Sequence, residues 1–131
     1  MRSIYVALIS SPIWPSTAFI FTYDEGGGFF DHVPPPEACP PTPELATNFS
    51  QLGVRLPALV ISPYAKPGYV SHQVHHSTSL TRFIEMLFDL LALTGRDANA
   101  DALLDMLDFS SPQLLDAPAD PPPSGTGGCV H

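Results

Sequence analysis

Two uncharged runs of apolar and β-branched residues dominate the hydrophobic pattern and predict two strands. They cover residues 17–23 (TAFIFTY) and residues 57–62 (PALVIS). Short apolar runs bounded by turn residues are typical of strands buried on both faces, as in parallel sheets. Because a polar segment follows each run, we expect two parallel neighbours whose carboxyl ends lie on the same side of the sheet.

Helical spacing appears on both sides of these strands. Residues 2–10 fit a short helix. Between residues 80 and 91, apolar residues recur at intervals of three and four, which predicts an amphipathic helix. Thr78 or Ser79 is expected to cap its beginning, and Gly95 is expected to cap its end.

The remaining segments are of three kinds. A second helix is predicted to begin at Asp97 or Asn99 and to reach Leu107. Residues 24–56 contain many prolines and no periodicity, and so long a connection within a compact domain is usually functional. Residues 117–131 are rich in proline and glycine and predict a flexible tail.

Charge and length exclude several classes of function. The chain has 131 residues, which fits one domain or a piece of one, expected here over residues 1–116. Only five residues are Lys or Arg and the formal net charge is −8, so the chain lacks the basic surface that nucleic acids and acidic lipids require. No apolar run has the length of a membrane span. Cys39 and Cys129 lack metal-binding spacing, and the chain shows no clear signal peptide.

The segment that follows the first predicted strand holds the strongest candidate site. It reads YDEGGGFFDH over residues 23–32. The glycines let the backbone turn sharply, so that Asp24 and Glu25, which a regular strand would point to opposite faces, can reach one ion. Carboxylate oxygens suit a divalent metal ion. His32, beside Asp31, could bind metal, contact a phosphoryl oxygen or act as a general acid. The alternative is a solvated loop whose polar groups bond only to their own backbone.

Other polar residues are weaker candidates. His72 follows the second predicted strand, and parallel strands would bring it to the same sheet edge as Asp24. Arg82 and Glu85, three residues apart on the predicted helix, are expected to form an exposed pair of little energetic value. Lys66 either contacts an anionic substrate or is an ordinary loop residue.

Three blocks in these segments resemble one known family. Residues 11–36, 54–72 and 78–85, in that order, are similar to the phosphoesterase family of bacterial phospholipases C and related acid phosphatases, and the resemblance covers about residues 4–109. It implies an α/β fold, the C-terminal part of an alkaline-phosphatase-like parallel sheet with flanking helices and long Pro/Gly-rich loops. It also implies hydrolysis of phosphate esters, with a phosphate monoester or a phospholipid as substrate.

The resemblance also implies roles for the candidate residues. Asp24 and Glu25 would bind a divalent metal ion, and Asp31, His32 and His72 would supply the catalytic polar groups. Family members are several times longer, and the portion that carries their nucleophilic hydroxyl is absent here. We therefore expect the isolated chain to be inactive and to need an N-terminal half as its partner. The alternative is a non-catalytic remnant that binds a metal, an anion or a partner chain. The compartment stays open, although the family is compatible with a secreted or periplasmic one.

Overall fold

Short helices and two short strands make up the part of the chain that the structure describes. The computed structural model describes residues 1–118; residues 119–131, which hold most of the predicted tail, lie outside it. No helix within the described part is long and apolar enough to cross a bilayer. The helices are α1 (Arg2–Ile9), α2 (Ala46–Phe49), α3 (Ser77–Leu87) and α4 (Gly95–Ala98), the strands are β1 (Phe19–Thr22) and β2 (Ala58–Ile61), and 3₁₀ turns occupy Trp14–Ser16, Pro43–Leu45 and Leu104–Met106.

The two predicted strands are neighbours but run antiparallel, so the predicted parallel pairing is wrong. Phe19 pairs with Ile61, and Thr22 pairs with Ala58. The C-terminal end of β1 therefore lies beside the N-terminal end of β2. Both directions are open to strands joined by a long connection, and local apolar content does not choose between them. The mixed helix and strand content agrees with an α/β chain, but the described residues show no alkaline-phosphatase-like parallel sheet.

One face of the small sheet packs against the main helix. Ile20 and Val60 are cross-strand partners. Both contact a buried cluster formed by Phe83 of α3 with Ala102 and Leu107. The strands themselves are only half-buried or exposed, so the prediction that they are covered on both faces is wrong. The core therefore sits between the sheet, α3 and the segment after α4.

Helix α3 confirms that a helix lies here, but it has different ends from those predicted, and of its predicted apolar residues Phe83 is buried while Ile84 and Leu87 are exposed. It starts from an N-cap at His76, ahead of the predicted caps. At its end Asp89 adopts a left-handed conformation with φ 53°, and the Leu90 N–H donates to the Glu85 carbonyl at 2.8 Å. This hydrogen bond is typical of a helix that terminates on a left-handed residue. Gly95 is therefore not the cap of α3; it is the first residue of α4.

The helix predicted to reach Leu107 is wrong. Helix α4 ends at Ala98. Asp101 Oδ1 then accepts the Leu103 N–H at 3.0 Å, and Leu103 adopts a left-handed φ of 62°. Side-chain bonds to nearby backbone compete with helical hydrogen bonds, and here they turn the chain before it re-enters the core.

Two buried carboxylates join α3 to the beginning of α4. Glu85 is 3% exposed and Asp97 is 2% exposed. Asp97 accepts a 2.7 Å hydrogen bond from the Leu93 N–H and another from the Thr94 hydroxyl. Burial by itself raises the pKa of Asp97, but hydrogen bonds with Thr94 and Glu85 outweigh it and hold that pKa well below its usual range. Arg82 Nη1 lies 3.6 Å from Glu85, but the predicted exposed pair is wrong because Glu85 is buried.

Candidate functional site

The loop after β1 places the predicted metal ligands beside a glycine turn. Asp24 and Glu25 are exposed, and Asp24 Oδ1 accepts the Glu25 N–H at 3.1 Å. Gly27 and Gly28 have φ values of 58° and 78°, which glycine adopts without the strain that a side chain would cause. The backbone therefore turns shortly after the acid pair, and both carboxylates remain open to an ion.

Asp31 fastens this loop to the segment before β2. Its Oδ2 accepts hydrogen bonds from the backbone N–H of Arg55 at 3.0 Å and from Nε of the same residue at 2.9 Å. Its Oδ1 accepts one from Nη2 at 2.9 Å and one from the Val33 N–H at 3.0 Å. Bidentate Arg–carboxylate pairs are among the stronger hydrogen-bonded contacts. The hydrogen bonds from Arg55 and Val33 hold the pKa of Asp31 well below its usual range.

The two histidines predicted to act with these acids lie on different segments. The His32 side chain is 83% exposed, and its Nδ1 is 3.8 Å from Asp31 Oδ1. His72 is also exposed and follows β2. Because the strands are antiparallel, the segment after β2 leaves the sheet from the end opposite to Asp24. The argument that placed His72 beside Asp24 on one sheet edge is therefore wrong.

A second polar cluster forms where the segment before α3 meets the segment after α4. His75 Nδ1 lies 3.5 Å from Asp101 Oδ1, and His75 Nε2 lies 3.1 Å from Asp105 Oδ1. One ligand atom from each residue can be chosen so that all three lie within 4.8 Å of one another. The side chains of His75 and Asp105 are 12% and 10% exposed, and that of Asp101 is 42% exposed. Imidazole and carboxylate are common metal ligands, so this group could hold a metal ion.

The surroundings of Asp105 hold its carboxylate in place. Oδ2 accepts the Ser71 hydroxyl at 2.5 Å and the Tyr69 hydroxyl at 3.1 Å. Lys66 Nζ donates to the Asp105 backbone carbonyl at 2.7 Å. Burial raises the pKa of Asp105, but the hydrogen bonds from Ser71 and Tyr69 and the nearby His75 outweigh it, so this pKa is lowered. Lys66, a candidate for substrate contact, thus binds the backbone of this cluster.

Sequence reasoning missed both Arg55 and the second cluster. Arg55 carries no spacing signal that connects it with Asp31. In the sequence His75 stands just before one predicted helix, and Asp101 and Asp105 lie within another. The four-residue spacing of the two aspartates was the one available signal, since it would place two carboxylates on one face of an α-helix, although only a 3₁₀ turn forms here, at Leu104–Met106.

An open apolar cavity of about 700 Å³ lies between β1 and α3. Its lining includes Ile20, Phe83 and Leu87, and neither the loop after β1 nor the His75 cluster contributes to it. The cavity therefore lies apart from both polar sites, the loop after β1 and the His75 cluster.

Comparison with known proteins identifies relatives of this chain. The model of the Phosphoesterase family matches residues 1–91. Non-specific phospholipase C3 of Arabidopsis thaliana is 38% identical over 130 residues, which cover 86% of this chain and 25% of that protein. Phospholipase C B of Mycobacterium tuberculosis (strain CDC 1551 / Oshkosh) is 36% identical over 124 residues, covering 80% and 24%. Non-hemolytic phospholipase C of Burkholderia pseudomallei (strain K96243) is 40% identical over 108 residues, covering 68% and 15%.

These matches cover most of this chain but only a small part of each relative. The chain spans about a quarter of the length of the first two relatives. The segment that matches the family model, residues 1–91, contains the loop after β1, Arg55 and His72, and it ends before Asp101. It makes up more than half of the 131 residues, and the resemblance seen in the sequence is confirmed. The chain belongs to the Phosphoesterase family.

Proposed function

We propose that this chain is part of a phosphoric ester hydrolase of the phospholipase C type, and that the loop after β1 contacts its metal ion and the substrate phosphate. One observation carries the proposal. Residues 24–32, fastened by the Asp31–Arg55 hydrogen bonds, lie inside the segment that matches the family model. Relatives named as phospholipases C at 36–40% identity support a phospholipid substrate, with a phosphate monoester as the second candidate.

Asp24 and Glu25 fit a divalent ion by the chemistry of their side chains. Within the described residues, Asp24 Oδ1 is the only one of their four carboxylate oxygens that accepts a hydrogen bond. Hard oxygen donors of this kind suit Mg²⁺, Ca²⁺ or Mn²⁺. Such an ion, when bound, supplies Lewis-acid stabilisation of phosphoryl charge. Two carboxylates fill only part of its coordination shell, so water, substrate or other chain segments complete it.

Asp31 and His32 have different proposed roles in the loop. Both oxygens of Asp31 are bonded to Arg55, so we assign Asp31 a positioning role and not a direct catalytic one. His32 is exposed beside it and is free to donate a proton to a leaving alcohol or to contact a phosphoryl oxygen. His72 remains a candidate through its place in the matched segment alone.

A segment exchange tests this proposal. The aligned part of the Arabidopsis thaliana protein is replaced by this chain, and hydrolysis of phosphatidylcholine vesicles and bound metal are measured. Asp24→Asn should lower turnover by about a hundredfold, the usual scale for losing one charge-stabilising contact, and should lower the metal content. Asp116→Asn changes an exposed aspartate outside the loop in the same way and should leave both unchanged. The 131-residue chain alone should show no turnover.

Three outcomes would contradict the proposal or part of it. A folded exchange protein without activity would favour the alternative, a non-catalytic remnant that binds a metal, an anion or a partner chain. Equal turnover and metal content in the Asp24 and Asp116 variants would mean that Asp24 is an ordinary loop acid. Turnover by the isolated chain, abolished by Asp24→Asn, would support the reaction but show that no further segment is needed.

A further inference from the structure

We propose that His75, Asp101 and Asp105 bind one divalent transition-metal ion of the zinc type, which joins the segment after β2 to the segment after α4. The site is separate from the acid pair Asp24 and Glu25, and its existence does not depend on the proposed function.

The donor set and its spacing fit such an ion. Zn²⁺ binds His nitrogen and carboxylate oxygen at about 2.0–2.2 Å, so adjacent ligand atoms of a tetrahedral site stand roughly 3.3–3.5 Å apart. His75 Nδ1 lies 3.5 Å from Asp101 Oδ1, whereas the 3.1 Å contact with Asp105 Oδ1 comes from the other ring nitrogen, Nε2. Nε2 also contacts the Ser71 hydroxyl at 3.1 Å, so Nδ1 is the nitrogen that we assign to the ion. With one ligand atom taken from each residue, the three atoms lie within 4.8 Å of one another, so the side chains have to move closer together to reach tetrahedral spacing around an ion. The imidazole nitrogen favours Zn²⁺ over Mg²⁺ or Ca²⁺, which prefer oxygen ligands.

Two atoms of the cluster lack the partners that buried polar atoms normally have. His75 Nδ1 and Asp105 Oδ1 are shielded from solvent, and neither has a hydrogen bond to any described residue. The contacts at 3.5 Å and 3.1 Å therefore bring charges and lone pairs together without hydrogen-bond geometry. Buried polar groups are almost always satisfied, and paired carboxylates at a half-buried place need a compensating positive charge. A divalent cation would provide a partner for the two unsatisfied atoms and the positive charge that the carboxylates need.

The residues around the cluster support Asp105 as metal ligands are usually supported. Ser71 and Tyr69 both donate to Asp105 Oδ2, which leaves Oδ1 directed at His75. Outer partners of this kind orient metal-bound carboxylates and imidazoles. The Asp101 side chain is the most exposed of the three ligands. An ion can therefore enter beside it, and water can take the fourth coordination position.

The rival occupant of the cluster is a proton. An imidazolium of His75 lying between two carboxylates would satisfy the same atoms with one positive charge instead of two. Zinc binding and the protonation of the two ring nitrogens therefore distinguish the alternatives.

Metal titration of the full chain is the test. With Zn²⁺ in calorimetry we expect one equivalent bound, and with Co²⁺ we expect visible absorption bands that Zn²⁺ removes. Asp101→Asn and His75→Gln should weaken binding more than about a hundredfold, and Ser71→Ala should weaken it about 10- to 100-fold. His75→Cys should retain binding, because thiolate is a zinc ligand. Asp116→Asn, the matched control, and Asp24→Asn should leave it unchanged, which separates this site from the loop after β1.

Two kinds of result would overturn the proposal. The first is a wild-type chain, folded by circular dichroism, that takes up no Zn²⁺ at micromolar concentration or keeps protons on both His75 nitrogens, by ¹⁵N NMR, in its presence. The second is zinc binding that survives His75→Gln or disappears in Asp24→Asn.

Discussion

Replacement of Asp97 by alanine tests the buried junction between α3 and α4. The carboxylate is 2% exposed and accepts hydrogen bonds from the Leu93 N–H and the Thr94 hydroxyl. In the alanine variant the Leu93 N–H keeps only a 3.3 Å contact with Glu85 Oε1, and the Thr94 hydroxyl loses this acceptor. A buried polar group without its partner costs about 1–3 kcal/mol. Because Leu93 is 79% exposed and its N–H keeps one contact, we expect the free energy of unfolding to fall by about 1–3 kcal/mol.

Urea denaturation, followed by the fluorescence of Trp14, measures this loss, since the chain has one tryptophan. Asp97→Asn keeps one acceptor oxygen and removes a charge beside Glu85, so it should cost about half as much. Asp116→Ala, at an exposed position, is the matched control and should change the free energy of unfolding by less than about 0.5 kcal/mol. If Asp97→Ala unfolds at the same urea concentration as this control, the buried hydrogen bonds contribute nothing measurable and the reasoning is refuted.

Two further predictions concern the loop after β1. Because hydrogen bonds from Arg55 lower the pKa of Asp31 below its ordinary value near 4, Asp31 contributes stability that is complete above about pH 4 and is lost as the pH falls towards the folded-state pKa. Asp31→Asn should therefore reduce the fall of the melting temperature at acid pH. A fall equal to that of the unchanged protein would mean that the Asp31–Arg55 pair does not contribute to stability. Gly26→Ala would place a Cβ 2.4 Å from Val54 Cγ2, whereas Gly53→Ala meets nothing within 4 Å. The first variant should melt lower than the second, and equal melting temperatures would show that Val54 moves aside freely.

Structural features that depend on residues close together in the sequence were predictable. The places of β1, β2 and α3 are confirmed, because apolar runs and three-to-four spacing are signals carried by residues close together in the sequence. Strand direction and the burial of Glu85 were not predictable in this way. The first depends on the path of the chain between β1 and β2. The second depends on the return of residues 93–97 over α3.

Gly95 shows how one residue type can indicate the wrong role. A glycine after a helical pattern predicts a C-terminal cap with a left-handed backbone, yet Gly95 begins α4. A Cβ at this position would lie 3.2 Å from the carbonyl oxygens of both Pro40 and Pro41, and the Gly95 N–H donates to the Pro41 carbonyl at 2.8 Å. The glycine is explained by close packing against a loop that is distant in sequence, and no local pattern reports that contact.

The meeting of His75 with Asp101 and Asp105 was not predictable from the sequence for the same reason. A bridge between Ala65 and Leu107 and the bond from the Lys66 N–H to the Met106 carbonyl, at 3.0 Å, place the segment after β2 beside the segment after α4. This pairing brings Asp105 to His75. The family match ends at residue 91 and does not include the two carboxylates of the cluster. The match to the family model therefore includes the loop after β1, where we propose one ion, and does not bear on an ion at His75. That second ion has to be tested by metal binding to this chain.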